Sequence, residues 1–222
     1  MTEPSHIVAT RAAYDTVAVD YAALLDGALA RMPMDRAMLG VFAELVRTSG
    51  GGRVADVGCG PGRITTYLDS LGLDAFGLDL SPAMVEVARS RYPQLSFDVG
   101  SLSALELPDG SLAGVVAWYS IIHTPPERLP QVFAELRRVL APGGHLLLAF
   151  QAGDDEPAHR NQAYGHPVSL VSFRLSPDRV ADRLGEAGFV LHSRVIREAE
   201  GEYEKTPQAY LLLRRPTADK PR

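Results

Sequence analysis

Two rhythms of apolar spacing divide the chain. From Ile7 to Leu29, and again from about Pro33 to Arg47, apolar residues recur at helical intervals, and Gly50-Gly51-Gly52 stops the second stretch. Short continuous apolar runs then alternate with helical ones. Arg53 to Val57 predicts a buried strand, the glycines up to Gly62 a tight turn, and Arg63 to Leu71 a helix. Asp74 to Leu78 predicts a second strand, after which Ser81 is placed to cap a helix opened by Pro82. A third strand is expected at Leu95 to Val99 and a fourth at Ala113 to Trp118. Glu127 to Leu140 follows as a helix, Pro142-Gly143-Gly144 as a turn and His145 to Phe150 as a fifth strand. Such alternation predicts an α/β fold whose parallel sheet is covered on both faces.

The last third changes character. Gln151 to Pro167 is polar and without period, which predicts an irregular loop of functional length, a candidate lid carrying His159, Tyr164 and His166. A helix is expected near Pro177 to Ala187, then strands at Val190 to Arg197 and Gln208 to Arg214. The linker between these strands is too short for a helical crossover, so they should form an antiparallel pair at the end of the sheet.

At 222 residues the chain suits one domain: a helical cap over about 1–50, a core over about 51–214 and a frayed tail at 215–222. The longest apolar run, Val115 to Ile122, is too short to cross a bilayer, so no membrane partner is expected. The segment Met1 to His6 has neither the basic nor the apolar part of a secretory leader, and a cytoplasmic location is expected. A single cysteine, Cys59, excludes an internal disulfide and a cysteine zinc cluster, and no spacing suggests any other metal. With a net charge of −5 the chain lacks the basic footprint of a nucleic-acid binder. The expected partner is a small molecule, and the expected state a monomer or homodimer.

The densest chemistry lies in Val54-Ala55-Asp56-Val57-Gly58-Cys59-Gly60-Pro61-Gly62, followed by Asp79 at the end of the next strand. Glycines at a strand-to-helix turn let a ligand approach the backbone, and an acid about 20 residues on can accept both ribose hydroxyls of an adenine nucleoside. The loop reads G-x-G-x-G rather than G-x-G-x-x-G, which disfavours a pyrophosphate cradle and with it a nicotinamide-dependent oxidoreductase. At the carboxyl end of the fourth strand, backbone around Ala117 and Trp118 should line the nucleotide, while Tyr119 and His123 should face a substrate. His123, ahead of Thr124-Pro125-Pro126, is either a general base or a structural cap. Tyr14 and Tyr21, seven apart, share one helical face as core or as site.

These residues, with the opening Tyr14-Asp15-Thr16-Val17-Ala18-Val19-Asp20-Tyr21, resemble the class I S-adenosylmethionine-dependent methyltransferases, in particular the small-molecule branch. The resemblance implies a Rossmann-like fold with a seven-stranded sheet, an antiparallel terminal strand pair and an N-terminal helical cap. It implies S-adenosylmethionine as cofactor, S-adenosylhomocysteine as its product, and methyl transfer to a small organic molecule. Asp56, Gly58, Gly60 and Gly62 would accommodate the methionine end, Asp79 would hold the ribose, and Leu80 to Met84 would flank the adenine. Arg63 would meet the cofactor carboxylate, and Tyr14 and Tyr21 would close over the methionine end or the substrate. Where the family often has Gly-Asp-Ala after the third strand, this chain has Gly100-Ser101-Leu102, so Ser101 would take the adenine amino group. The family's aspartate at the start of the fourth strand is replaced by Gly114. These two departures keep a noncatalytic cofactor-binding module open as the alternative.

Overall fold

A computed structural model describes residues 3–200 and 204–217. Two helices, α1 (Ser5–Leu24) and α2 (Pro33–Thr48), precede the sheet. Then come β1 (Arg53–Val57), α3 (Arg63–Ser70), β2 (Asp74–Asp79), α4 (Pro82–Arg91), β3 (Ser96–Val99), β4 (Leu112–Trp118), α5 (Leu129–Val139) and β5 (Leu140–Gln151). The last third holds β6 (Glu156–Ala163), β7 (His166–Arg174), α6 (Pro177–Glu186), β8 (Val190–Arg197) and β9 (Gln208–Arg214).

The main sheet has the order β3-β2-β1-β4-β5-β9-β8, with β1 to β5 parallel and β9 antiparallel to both β5 and β8. Side chains alternate across it as a pleated strand requires. Ala55, Val57, Val115, Ala117, Leu146, Leu148 and Leu211 enter the core beneath α5 and α6. Val54, Val116, Trp118, Leu147, Tyr210 and Leu212 enter the core beneath α2 and α3. Both faces are therefore dry, which is why the strands read as continuous apolar runs.

The structure departs from the sequence-based expectations in four places. Gln151 to Pro167 is no irregular loop: most of it is β6, which pairs antiparallel with β7 in a separate two-stranded sheet. Its turn, Tyr164-Gly165, has φ of 52° and 84°, the double left-handed conformation of a two-residue hairpin. Helix α1 stops at Leu24 rather than continuing to Leu29, because Gly27 takes a φ of 61° and starts a short 3-10 turn at Ala28–Arg31. β5 begins at Leu140, with Pro142-Gly143-Gly144 forming an irregularity in the strand rather than a separate turn. Arg215, expected in a frayed tail, is pinned by its N–H to the Gly144 carbonyl at 2.9 Å, while the tail from 218 lies outside the described residues.

Gly114 also has a packing reason. A Cβ built there would lie 2.7 Å from Cζ of Phe42 and 3.0 Å from Val46, so α2 fills the space that a side chain at this position would need. Gly114→Ala should destabilise the fold by about 1–3 kcal/mol through overpacking, read as a lower urea midpoint at unchanged slope.

Candidate active site

The carboxyl ends of β1, β2 and β4 converge on the glycine loop. Gly58, with φ 79°, sits so close to the next loop that a Cβ would fall 2.2 Å from Cβ of Ser120. The Gly58 and Cys59 N–H groups donate to the Leu78 carbonyl at 2.7 and 3.0 Å, which ties the loop to the end of β2. Asp79 completes the tie: Oδ2 accepts from the Gly60 N–H at 2.7 Å and Oδ1 from the Ser81 N–H at 2.8 Å. Burial pushes the Asp79 carboxyl up to about 6, against these two hydrogen bonds.

Helix α1 lies across this junction. Asp15 Oδ1 accepts from the Ser81 hydroxyl at 2.6 Å and from the Ala83 N–H at 3.2 Å, while Ser81 Oγ accepts from the Met84 N–H at 3.1 Å. Arg11 adds a bond from Nε to the Leu80 carbonyl at 3.3 Å. The cap at Ser81 was legible in the sequence; that Asp15 is its partner was not, although Asp15 stands in the opening motif.

An aromatic seam joins α1 to the hairpin. The Tyr14 and Tyr21 rings lie 5.9 Å apart edge to face, Tyr164 continues from Tyr21 at 5.0 Å, and His123 continues from Tyr14 at 5.3 Å. Tyr14 Oη is 2.8 Å from His123 Nε2, and His123 Nδ1 is 2.8 Å from the Val171 carbonyl. A carbonyl can only accept, so Nδ1 carries the proton and neutral Nε2 accepts from the Tyr14 hydroxyl. Burial holds His123 down at about 4, which keeps the imidazole neutral at physiological pH. His166 Nε2, 2.7 Å from Asp20 Oδ2, fastens the hairpin tip to α1.

Tyr119 is bound differently. It takes a left-handed φ of 55°, and its hydroxyl donates to Gln208 Oε1 at 2.8 Å. Gln208 is oriented by its own Nε2, which donates to the Thr206 carbonyl at 2.7 Å. The hydroxyl therefore points into β9, and Tyr14, not Tyr119, is the tyrosine on His123.

A cavity of about 540 Å³ runs beneath α1. Its wall brings together Tyr14, Tyr21, Gly58, Gly60, Asp79, Leu80, Met84, Ser101, Leu102, Trp118, Tyr119 and His123, all singled out from the sequence. Four other candidates stand outside the wall. Gly62 packs on Phe97, Ala117 belongs to the core under α5, and Arg63 opens α3. Asp56 is buried behind the loop on the Thr65 hydroxyl at 2.7 Å, and burial pushes its carboxyl up to about 7. Sequence reasoning missed His6, Ile7, Thr10, Ser120 and Arg128, which also line the cavity and belong to no motif.

Four polar side-chain atoms near this glycine-loop end are buried without a hydrogen-bond partner: Asp56 Oδ1, Arg63 Nη1, Trp118 Nε1 and Ser120 Oγ. Folded proteins leave few such groups, so their concentration here suits a ligand rich in complementary polar atoms. An adenosyl amino acid has that character: apolar Leu80, Met84 and Leu102 suit a purine, Asp79 suits a ribose diol, and the unpartnered groups suit an amino-acid end. Among the described residues, no cluster could hold a metal ion, and no helix is long and apolar enough to cross a membrane.

Comparison with known proteins gives the same frame. The model of the methyltransferase domain matches residues 54–144. A trans-aconitate 2-methyltransferase of Methylobacterium nodulans is 38% identical over 139 residues, 58% of this chain and 52% of the relative. An O-methyltransferase of Pyrenophora dematioidea is 31% identical over 173 residues, 74% of this chain and 64% of the relative. The magnesium protoporphyrin IX methyltransferase of Synechocystis, solved with bound S-adenosylmethionine, superposes with a TM-score of 0.70 at 18% identity, covering 97% of this chain and 99% of that one. The chain spans about half the length of the first relatives it matches, 41% to 55% of each. Residues 54–144 thus carry a methyltransferase domain, and the chain is similar in sequence and in fold to S-adenosylmethionine-dependent methyltransferases.

The tautomer geometry has a measurable consequence for stability. His123 has a native pKa near 4, below the ordinary 6.5, so the unfolded chain binds more protons between those values and stability is lost as pH falls through that window. Urea unfolding of wild type against His123→Gln should show the difference between them shift by about 2 kcal/mol against wild type from pH 7 to pH 5. A pH-independent difference would mean that the imidazole is not held neutral.

Proposed function

We propose that the chain transfers the methyl group of S-adenosylmethionine to a small organic acceptor that meets the cofactor beside Tyr14 and His123. One observation carries the reading: a single cavity runs from the Asp79-braced glycine loop to a tyrosine hydrogen-bonded to a tautomer-fixed histidine. The relatives named trans-aconitate 2-methyltransferase and O-methyltransferase support a small-molecule acceptor. When bound, the cofactor supplies an electrophilic methyl group on a sulfonium.

Each oxygen of ionised Asp79 accepts one backbone N–H and keeps lone-pair capacity for the ribose hydroxyls. Ser101 offers its hydroxyl at the adenine edge in place of the family's acid, next to Ser103 at 3.0 Å. Arg63 lies outside the cavity wall, in a separate pocket with Pro61 and Tyr67, and takes no part in this reading. At the other end Tyr14 Oη, donating to His123 Nε2, keeps its lone pairs for the acceptor. As a protonated acceptor is methylated, its proton passes to Tyr14 Oη while the tyrosine proton passes to His123 Nε2; Nδ1–H stays on the Val171 carbonyl. An acceptor without a proton to lose uses the pair for orientation alone. Tyr119 acts indirectly, by shaping the backbone between Trp118 and Ser120.

Asp79→Ala should weaken S-adenosylhomocysteine roughly ten- to a hundredfold by calorimetry, the loss expected for charged acceptors of hydroxyl groups. In wild type the same affinity should fall as pH drops through about 6, where the carboxylate is neutralised. Screening phenols, carboxylates and amines with a labelled methyl donor supplies the acceptor. With it, Tyr14→Phe and His123→Ala should each lower turnover by about 10²–10⁴ while leaving cofactor affinity nearly unchanged, the range of general-base catalysis. Tight binding of S-adenosylhomocysteine with no methyl transfer across the panel would turn the reading to the noncatalytic module.

A further inference from the structure

We infer that the indole N–H of Trp118 is a ligand of the cofactor's carboxylate. This rests on the reading that the cavity takes S-adenosylmethionine.

Trp118 ends β4 beside the glycine loop, is 5% exposed and forms part of the cavity wall. Its side chain lies on the α2–α3 face of the sheet, in one cluster with Ile64, the neighbour of Arg63. Two rings fix its plane: Tyr119 at 6.1 Å edge to face and Tyr210 at 5.6 Å. The polar groups of both neighbours are already engaged, since Tyr119 donates to Gln208 at 2.8 Å and Tyr210 donates to Asp35 at 2.6 Å. Trp118 Nε1 is left buried with no partner, as is Arg63 Nη1.

An indole N–H only donates, so its partner is an acceptor atom. The cofactor presents acceptors on its purine, its ribose and its carboxylate. The purine belongs with Leu80, Met84 and Leu102 at the ends of β2 and β3, and the ribose with Asp79. Trp118 stands on the other side of the glycine loop, at the end of β4, where the carboxylate remains. A neutral donor also suits an anion without adding a second buried charge next to the sulfonium.

Trp118 is the only tryptophan in the chain, so its indole N–H gives a single resonance and its fluorescence a single source. The probes are S-adenosylhomocysteine and its decarboxylated analogue, which keeps the amine and lacks only the carboxylate. In wild type the indole proton should move downfield with S-adenosylhomocysteine and stay near its free position with the analogue. Trp118→Phe, which keeps an aromatic ring without the N–H, should weaken S-adenosylhomocysteine by roughly tenfold while changing the analogue by less than about twofold, the mark of one lost hydrogen bond to a charged group. An indole proton that S-adenosylhomocysteine leaves unmoved, or a Trp118→Phe protein that loses affinity equally for both probes, overturns the inference. The wild-type resonance decides the matter even if the variant does not fold. Failure of both probes to bind wild type would instead overturn the cofactor reading beneath it.

Discussion

Asp79 clamps two backbone segments together at the mouth of the cavity. One oxygen holds the Gly60 N–H and the other the Ser81 N–H, so a single buried carboxylate sets the glycine loop against the start of α4. Ser81 then passes the constraint on, because its hydroxyl both caps α4 and donates to Asp15 of α1. The roof of the cavity is thus registered on its floor through three side chains. Burial works against this arrangement by raising the carboxyl's proton affinity, and the two backbone donors offset part of that cost. A carboxylate held this way can accept further hydrogen bonds, because two acceptor oxygens offer more lone pairs than these two backbone donors use.

The far end of the cavity is built on a different logic. Tyr14 comes from α1, His123 from the turn after β4, and Val171 from β7, and two hydrogen bonds of 2.8 Å link them. The backbone carbonyl selects the tautomer, and the tautomer selects which way the tyrosine proton points. The hairpin therefore orients the pair even though it contributes no side chain to it.

The central sheet was legible because both its faces are dry, so each strand announces itself by composition. The glycine loop was legible for another reason, since φ values of 79°, 53° and 85° at Gly58, Gly60 and Gly62 admit few alternatives to glycine. β6 was not legible: Ala163 is its one buried residue, and its exposed His159, Arg160, Asn161 and Gln162 carry no alternation to read. The roles of Asp15 and Gln208 depend on partners 66 and 89 residues away, a separation at which local pattern says nothing. Tyr119 was singled out for its position at a strand end, correctly as a cavity residue, but the direction of its hydroxyl is set by β9.

Gly114 and Phe42 occupy one volume between them. With Phe42 on the facing turn of α2, position 114 has no room for a side chain, and a smaller residue at position 42 would open that room. The two positions can exchange character only together, or through an intermediate with a void or a clash in the core. Their pairing couples α2 to β4, so a helical cap grafted without a phenylalanine at this contact would leave a void above Gly114.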